Sequence, residues 1–359
     1  MKDIRAIAFV LPQFHPIPEN DRWWGKGFTE WTNVSKATPL FEDHYQPQLP
    51  TDLGFYDLRL PQAREAQATI AKEHGIYGFC YYHYWFNGKR LLDQPLDGML
   101  KQKDLDMPFM LCWANENWTR RWDGLDNEIL IKQEYSLDDD AAHIRWLCES
   151  VFSDERYIKV DGCPVFMVYR QDLFPEMKKT ATLWREIAVK EYGFKDLYLC
   201  VAESFNNNVN PETINFDALV EFSPHKVIKH KLKRSPSFFE KMGVKKSRKQ
   251  KLDLRDFKKG VKDCIEREKP DYKLYRCVTP SWDNTARKGG QGVIALGSSP
   301  QLYFQWLKEI VQKFEPFSRE ENFIFINAMN EWAEGNHLEP CIKYGKGYLE
   351  ATKKALTTS

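Results

Sequence analysis

Eight short apolar runs constrain this 359-residue chain more than any other feature. They are IRAIAFVLPQF (4–14), GFCYYHYWF (78–86), FMLCWAN (109–115), PVFMVY (164–169), LYLCVAES (197–204), ALVEFS (218–223), YRCVTPSW (275–282) and FIFINAMNEW (323–332). Each is rich in β-branched and aromatic residues and almost unbroken in hydrophobicity, as parallel strands covered on both faces are. Helical patterns separate most of them. PQAREAQATIAKEHG (61–75) opens on proline and stops at Gly75, and LDDDAAHIRWLCESVF (137–152) opens on acids that suit a helix N-terminus. ATLWREIAVKEYG (181–193) stops at Gly193, and SSPQLYFQWLKEIVQKF (298–314) starts on Ser-Pro. The expectation is an α/β fold, a single (β/α)8 barrel of the TIM type spanning residues 1–359. A doubly wound open sheet is the alternative. It is disfavoured because LPQFHP, not a glycine-rich phosphate loop, follows the first strand.

In such a barrel, chemistry sits at the C-terminal ends of the strands. Those ends carry Gln13 and His15; His83, Tyr84 and Trp85; Trp113, Asn115 and Glu116; Tyr169; Glu203; Glu221; Trp282 and Asp283; and Asn330, Glu331 and Glu334. In NEWAEG (330–335), Glu331 and Glu334 are one helical turn apart and flank Trp332. Two close carboxylates have divergent pKa values, because one anion disfavours the other, and glycosidic-bond chemistry uses such a pair. A surface loop with scattered acids is the plainer account.

The aromatic share, 14% with 12 Trp, bears on the ligand, because aromatic faces stack on sugars, bases and cations. WANENW (113–118) puts Asn115 and Glu116 between Trp113 and Trp118, an arrangement suited to sugar hydroxyls and C–H faces. A structural loop whose acid pairs with Arg120 or Arg121 fits equally well. YYHYWF (81–86) alternates, with Tyr82, Tyr84 and Phe86 on one side and Tyr81, His83 and Trp85 on the other; a lone histidine there is more often packed than functional. DRWWGKGFTEW (21–31) is a loop expected over the barrel mouth, with Glu30 and Trp31 as candidate contacts and packing the competing role for its tryptophans.

The eight histidines form no HxxxH or HxH pair and the eight cysteines no CxxC pair, so no metal or other cofactor is expected. Buried, reduced thiols are the simplest account of the cysteines. The formal net charge of +1 hides a basic block: residues 226–262 hold 15 Lys/Arg against 3 Asp/Glu. This insertion, between the sixth and seventh strands, carries Phe238, Phe239 and Met242. It reads as a solvated loop, a nucleic-acid patch without a recognised module, or a peripheral contact with an anionic membrane. The N-terminal MKDIRAIAFVLPQFHP reads as a first strand, not a secretory signal, so a cytoplasmic protein is expected, with the block touching the inner membrane face.

GFTEW, YHYWF, WANENW and NEWAEGNHLEP, in this order, resemble the WbsX-type proteins of bacterial polysaccharide gene clusters, relatives of glycoside hydrolase family 99, the endo-α-mannosidase group. The likeness runs from the first strand to about Tyr348. It implies a (β/α)8 barrel that makes or breaks a glycosidic bond with retention through a 1,2-anhydro sugar. By the same likeness Glu331 assists attack by the sugar's own 2-hydroxyl and Glu334 acts as acid, then base. Glu116, His83 and Tyr84 contact the sugar, and Glu339 matches a family glutamate near the site. The remaining substrate-contact candidates are Trp85, Trp113, Asn115, Glu30, Trp31, Trp282, Asn330 and Trp332. The loops between the motifs do not follow the hydrolases, so mannose specificity is not carried over. The expected role is glycosyl transfer in surface polysaccharide metabolism, of the lipopolysaccharide O-antigen or capsule type, on an oligo- or polysaccharide that can be lipid-linked, with nucleic acid not a partner. Endo-acting hydrolysis by the same site and a non-catalytic glycan-binding barrel are the competing readings.

Overall fold

The structure, a computed structural model, describes residues 4–120, 125–204, 209–232 and 252–358. Eight parallel strands form a ring: β1 Arg5–Val10, β2 Ile76–Phe86, β3 Phe109–Trp113, β4 Cys163–Val168, β5 Tyr198–Glu203, β6 Ala218–Glu221, β7 in two halves Leu274–Tyr275 and Cys277–Val278, and β8 Phe323–Ile326. Successive strands pair in chain order, and β8 returns to β1 through Arg5–Phe323 to Ala8–Ile326. The break in β7 at Arg276 lets its first half pair with β6 and its second with β8. The sheet is therefore a closed barrel, as the eight apolar runs imply.

The helices that cover it are α1 Pro61–Glu73, α2 Gln94–Lys101, α3 Leu137–Leu147, α4 Met177–Tyr192, α5 Phe257–Ile265, α6 Pro300–Lys313 and α7 Gly347–Thr357. Local chemistry sets their ends. Ser136 and Ser299 accept N–H bonds as N-caps of α3 and α6, and α4 stops on Gly193 in the left-handed region at φ 72°. Between β5 and β6 the described residues form only the 3-10 turn Pro211–Ile214, where strict alternation predicts a helix.

Strand residues are almost wholly buried, on both faces: Ala6 to Val10, Met110 to Trp113 and Val165 to Val168 show no exposure. Inside the barrel Phe9 packs against Tyr82, Phe222 and Phe325. Outside it, Trp113 and Trp184 close the space under α3 and α4. Glu203 and Glu221, at the ends of β5 and β6, point outward and not into the barrel. Arg267 bonds both, Lys226 pairs with Glu203 and Arg276 with Glu221. The acids that open α3 do begin a helix, yet two of them are buried props: Asp139 accepts the Trp85 indole N–H, and Asp140 accepts from Thr180.

Most of the basic block, 233–251, lies outside the described residues, and with it Phe238, Phe239 and Met242. Its flanks are built into the fold. Asp253–Asp256 pairs in parallel with Val293–Leu296, and Leu252, Leu254, Ile294 and Phe41 form a small satellite core. Asp256 then caps α5. Among the described residues no helix is long and apolar enough to cross a membrane.

Candidate active site

The segment after β8 delivers the glutamates. Asn330–Glu331 pairs antiparallel with Asn336–His337, and Trp332–Glu334 forms a single 3-10 turn between them. Gly335 closes the turn at φ 58°; a Cβ there would lie 2.6 Å from Gln48 Nε2 and 3.0 Å from the Asp283 carbonyl. The turn therefore requires glycine. Asn330 pins this segment to the end of β1, accepting from Leu11 N–H at 2.7 Å and donating to the Leu11 carbonyl.

A single arginine joins three carboxylates. Arg287, on the short helix Thr285–Lys288 after β7, donates through Nη2 to Glu331 Oε2 at 2.8 Å and to Glu30 Oε1 at 2.8 Å. Its Nη1 donates to Glu334 Oε1 at 2.6 Å. Glu30 also accepts the Ala333 N–H at 2.9 Å, which ties the 3-10 turn to the short helix Glu30–Lys36, so the segment expected as a loop over 21–31 lies between and within two short helices, Pro18–Trp24 and Glu30–Lys36. Glu30 is fully buried, Glu331 nearly so, and the Glu334 side chain keeps 22% of its surface open to the cavity. Burial raises the Glu331 pKa to about 8 and also raises that of Glu334; the Arg287 guanidinium opposes both shifts. Both shifts favour a proton on the Glu331–Glu334 pair, because burial and mutual repulsion penalise two anions side by side.

The cavity in front of this cluster has a volume of about 340 Å³ and lies at the C-terminal mouth of the barrel. Tyr82, Tyr84 and Phe86 of β2 line one wall, with the Trp118 ring parallel to those of Tyr84 and Phe86. Trp282, Phe222 and Pro224 line the other side, with Glu116, Asn327 and Lys288 among the polar lining. Glu116 reaches the cavity while paired to Arg170; its pairing with Arg120 or Arg121, the plain loop reading, falls on side chains outside the described ones. Aromatic walls with amides and carboxylates at the closed end suit a polyhydroxylated ligand. Among the described residues no cluster of His, Cys, Asp or Glu is arranged to hold a metal ion.

Glu331, Glu334, Tyr84, Glu116 and Trp282 thus converge on the cavity together with the strand-end residues Gln13 and Tyr169, and Glu30 reaches it only through Arg287. Eight other candidates lie behind the lining. His83 and Trp85 point outward from β2, where His83 Nε2 meets His143 Nε2 at 2.9 Å and burial lowers the His83 pKa to about 3. Trp113 packs outside the barrel against His143 and Trp184. Asn115 bonds Tyr135 and the Arg170 backbone, tying the ends of β3 and β4 together. Trp31 packs on Phe14, Tyr56 and Trp332. Asn330 is the pin to β1 described above.

Trp332 does not stand between the two acids as their spacing suggested. Its ring stacks on His337 at 3.7 Å and its N–H bonds Glu339. Glu339 accepts from Tyr56, Gln67 and Trp332, and burial raises its pKa to about 7 against those three donors. It supports the turn from behind.

Sequence reasoning missed Arg287, Tyr82, Asn327 and Lys288; of the two indoles of WANENW it paired as sugar faces, only Trp118 lines the cavity. Three acids near one another do require a cation, but 52 Lys and Arg compete for that part.

Three comparisons bear on this geometry. The family model described as Glycosyltransferase WbsX matches residues 6–352. The uncharacterized protein WxcX of Xanthomonas campestris pv. campestris, from two strains, is 44% identical over 359 aligned residues. That alignment covers 98% of this chain and 49% of the relative, so the chain spans about half the length of the curated relatives it matches. Among solved structures, the GH99 endo-alpha-mannosidase from Bacteroides thetaiotaomicron superposes with a TM-score of 0.61 at 14% identity, covering 100% of this chain and 98% of that one. A structure described as a glycoside hydrolase-like protein gives 0.62 at 13%, covering 100% and 95%. Those two likenesses concern the fold.

Proposed function

The chain belongs to the WbsX glycosyltransferase family, and on that premise we propose that its barrel is a retaining carbohydrate-active enzyme in which Glu331 and Glu334 do the chemistry. The observation that carries this reading is the Arg287-bridged carboxylate cluster at the closed end of an aromatic-walled cavity. The motif likeness supplies the roles. Glu331 takes the proton of the sugar's 2-hydroxyl as that oxygen bonds to C1, while the C1–O glycosidic bond breaks and Glu334 protonates the leaving oxygen. Glu334, now ionised, deprotonates the incoming hydroxyl. The new C1–O bond forms as the C1–O2 bond opens, and Glu331 returns the proton to O2. Two inversions at C1 give net retention.

Tyr84, Trp282 and Glu116 serve as sugar contacts in this account. Arg287 keeps the two carboxylates in register through both steps, and Glu30, Asn330, Trp332 and Glu339 hold the turn that presents them. His83, Trp85, Trp113, Asn115 and Trp31 act on the sugar only through the residues they pack against.

The family description favours transfer, with an oligo- or polysaccharide acceptor of surface polysaccharide assembly, O-antigen or capsule, lipid-linked in one form. Work at the inner face of a membrane, with residues 226–262 as the peripheral contact, belongs to the same reading. Hydrolysis is the second reading, favoured by the barrel shared with the GH99 endo-alpha-mannosidase. Only the acceptor differs. Incubation with lipid-linked and polymeric surface glycans in 18O-labelled water, read by mass, separates the two: chain extension without label supports transfer, and shortened chains carrying label support hydrolysis. Glycans left unaltered by the folded protein would remove both readings.

A further inference from the structure

We propose that Asp283, just past the end of β7, is a positioning residue that sets Arg287 and Glu334 in register, with His44 and Gln46 holding it in place. The inference rests on the reading of Glu331 and Glu334 as the reacting pair and adds to it a residue outside the cavity lining.

Asp283 is attached to both partners of the Arg287–Glu334 ion pair. Its N–H donates to the Glu334 carbonyl at 2.7 Å, which fixes the turn that carries the acid. Its Oδ1 accepts the Thr285 N–H at 3.1 Å and the Thr285 hydroxyl at 2.6 Å, at the first residue of the short helix that carries Arg287. Its Oδ2 accepts from His44 Nε2 at 2.8 Å and from Gln46 Nε2 at 2.9 Å. A carboxylate has about four lone-pair sites, and these donors occupy them all. Asp283 is therefore held in one orientation with no acceptor left for a ligand. It faces a smaller cavity of about 130 Å³, shared with Gly335 and His337, and not the one in front of the carboxylates. His44 is fixed in turn. The Leu40 N–H donates to its Nδ1 at 3.0 Å, so Nε2 carries the ring's proton toward Asp283, and the ring stacks on Phe41. His44, Gln46 and Asp283 are all buried. Arg287 and Glu334 come from separate loops, and this two-point link between them sets how closely the guanidinium meets the carboxylate.

A side chain that only stabilised the fold would leave the ionisation of the cluster alone once the protein is folded. One that positions Arg287 would not, because the guanidinium holds the pKa values of Glu331 and Glu334 down against burial. The other charged groups facing the pair, Glu30 and Lys288, and the Tyr82 and Tyr84 hydroxyls stay the same in every variant below. The test titrates the carboxyl carbons of the two acids by 13C NMR on glutamate-labelled protein without substrate, with Glu331→Gln and Glu334→Gln as assignments. Asp283→Ala should move both midpoints up by about half a pH unit or more, as the loosened Arg287 opposes burial less. His44→Phe keeps the stack on Phe41 but removes the donor, and should move them the same way. His44→Gln restores a donor and should return them toward wild type. On a glycan that wild type converts, Asp283→Ala and His44→Phe should lower kcat ~10–100-fold with KM within about threefold. Where Asp283→Ala does not fold, His44→Phe decides. Midpoints unchanged in the folded variants overturn the proposal while the glycan reading stands. Shifted midpoints in a protein that converts no glycan support the link from Asp283 to the cluster and remove the glycan reading alone.

Discussion

At the residue scale the site depends on Arg287. Its planar fork reaches three carboxylates at once, a geometry that a lysine point charge cannot reproduce. Arg287→Lys should therefore lower kcat/KM at least ~100-fold while the protein still folds. Arg287→Met strands buried carboxylates and should cost about 3–5 kcal/mol in urea unfolding. Unchanged kinetics in both variants would remove the clamp from the account. The same cluster sets the pH dependence. Activity requires one proton on the Glu331–Glu334 pair: with two, Glu331 cannot accept, and with none, Glu334 cannot donate. Burial raises both pKa values, so both limbs of a bell-shaped kcat/KM profile should lie above the ordinary carboxylate range. A rate that stays maximal below pH 4 would contradict this.

At the scale of elements, the turn after β8 turns local sequence into site geometry. Gly335→Ala places a Cβ against the Asp283 carbonyl in a left-handed conformation. It should cost ~1–3 kcal/mol in chemical denaturation and lower activity by more than that loss explains, because Glu334 is adjacent. Much of this was legible. The eight strands announced themselves because barrel strands are apolar on both faces, and Glu331 and Glu334 because their spacing and strand-end position coincide. That same two-sided apolarity hid the orientation of β2. The alternation in YYHYWF separates two faces without saying which lines the cavity, so His83 and Trp85 were chosen alongside Tyr84 although they face α3. Trp332 misled for a related reason: it opens the 3-10 turn, and its ring is drawn onto His337 and Glu339, away from the acids on either side of it in sequence. Arg287 was not legible, since a counter-charge is fixed by tertiary approach of separate loops.

At the scale of the molecule, the basic block raises a question of modularity. Its flanks meet in space: Leu232 N–H bonds the Leu254 carbonyl at 3.0 Å, and both residues join the satellite core. Replacing 233–251 by a short Gly-Ser linker should thus leave the melting temperature within a few degrees and the soluble-substrate kcat/KM within about threefold. Under the peripheral-contact reading, it should abolish sedimentation with anionic vesicles. Vesicle binding that survives the replacement would place the contact elsewhere. The central claim, that the pair delivered by NEWAEG makes or breaks a glycosidic bond, is tested most directly by turnover of the Glu331→Gln and Glu334→Gln variants. On a glycan that wild type converts, each should lose ~10²–10⁴-fold in kcat with an unchanged fold by circular dichroism. Full activity in both variants would contradict it.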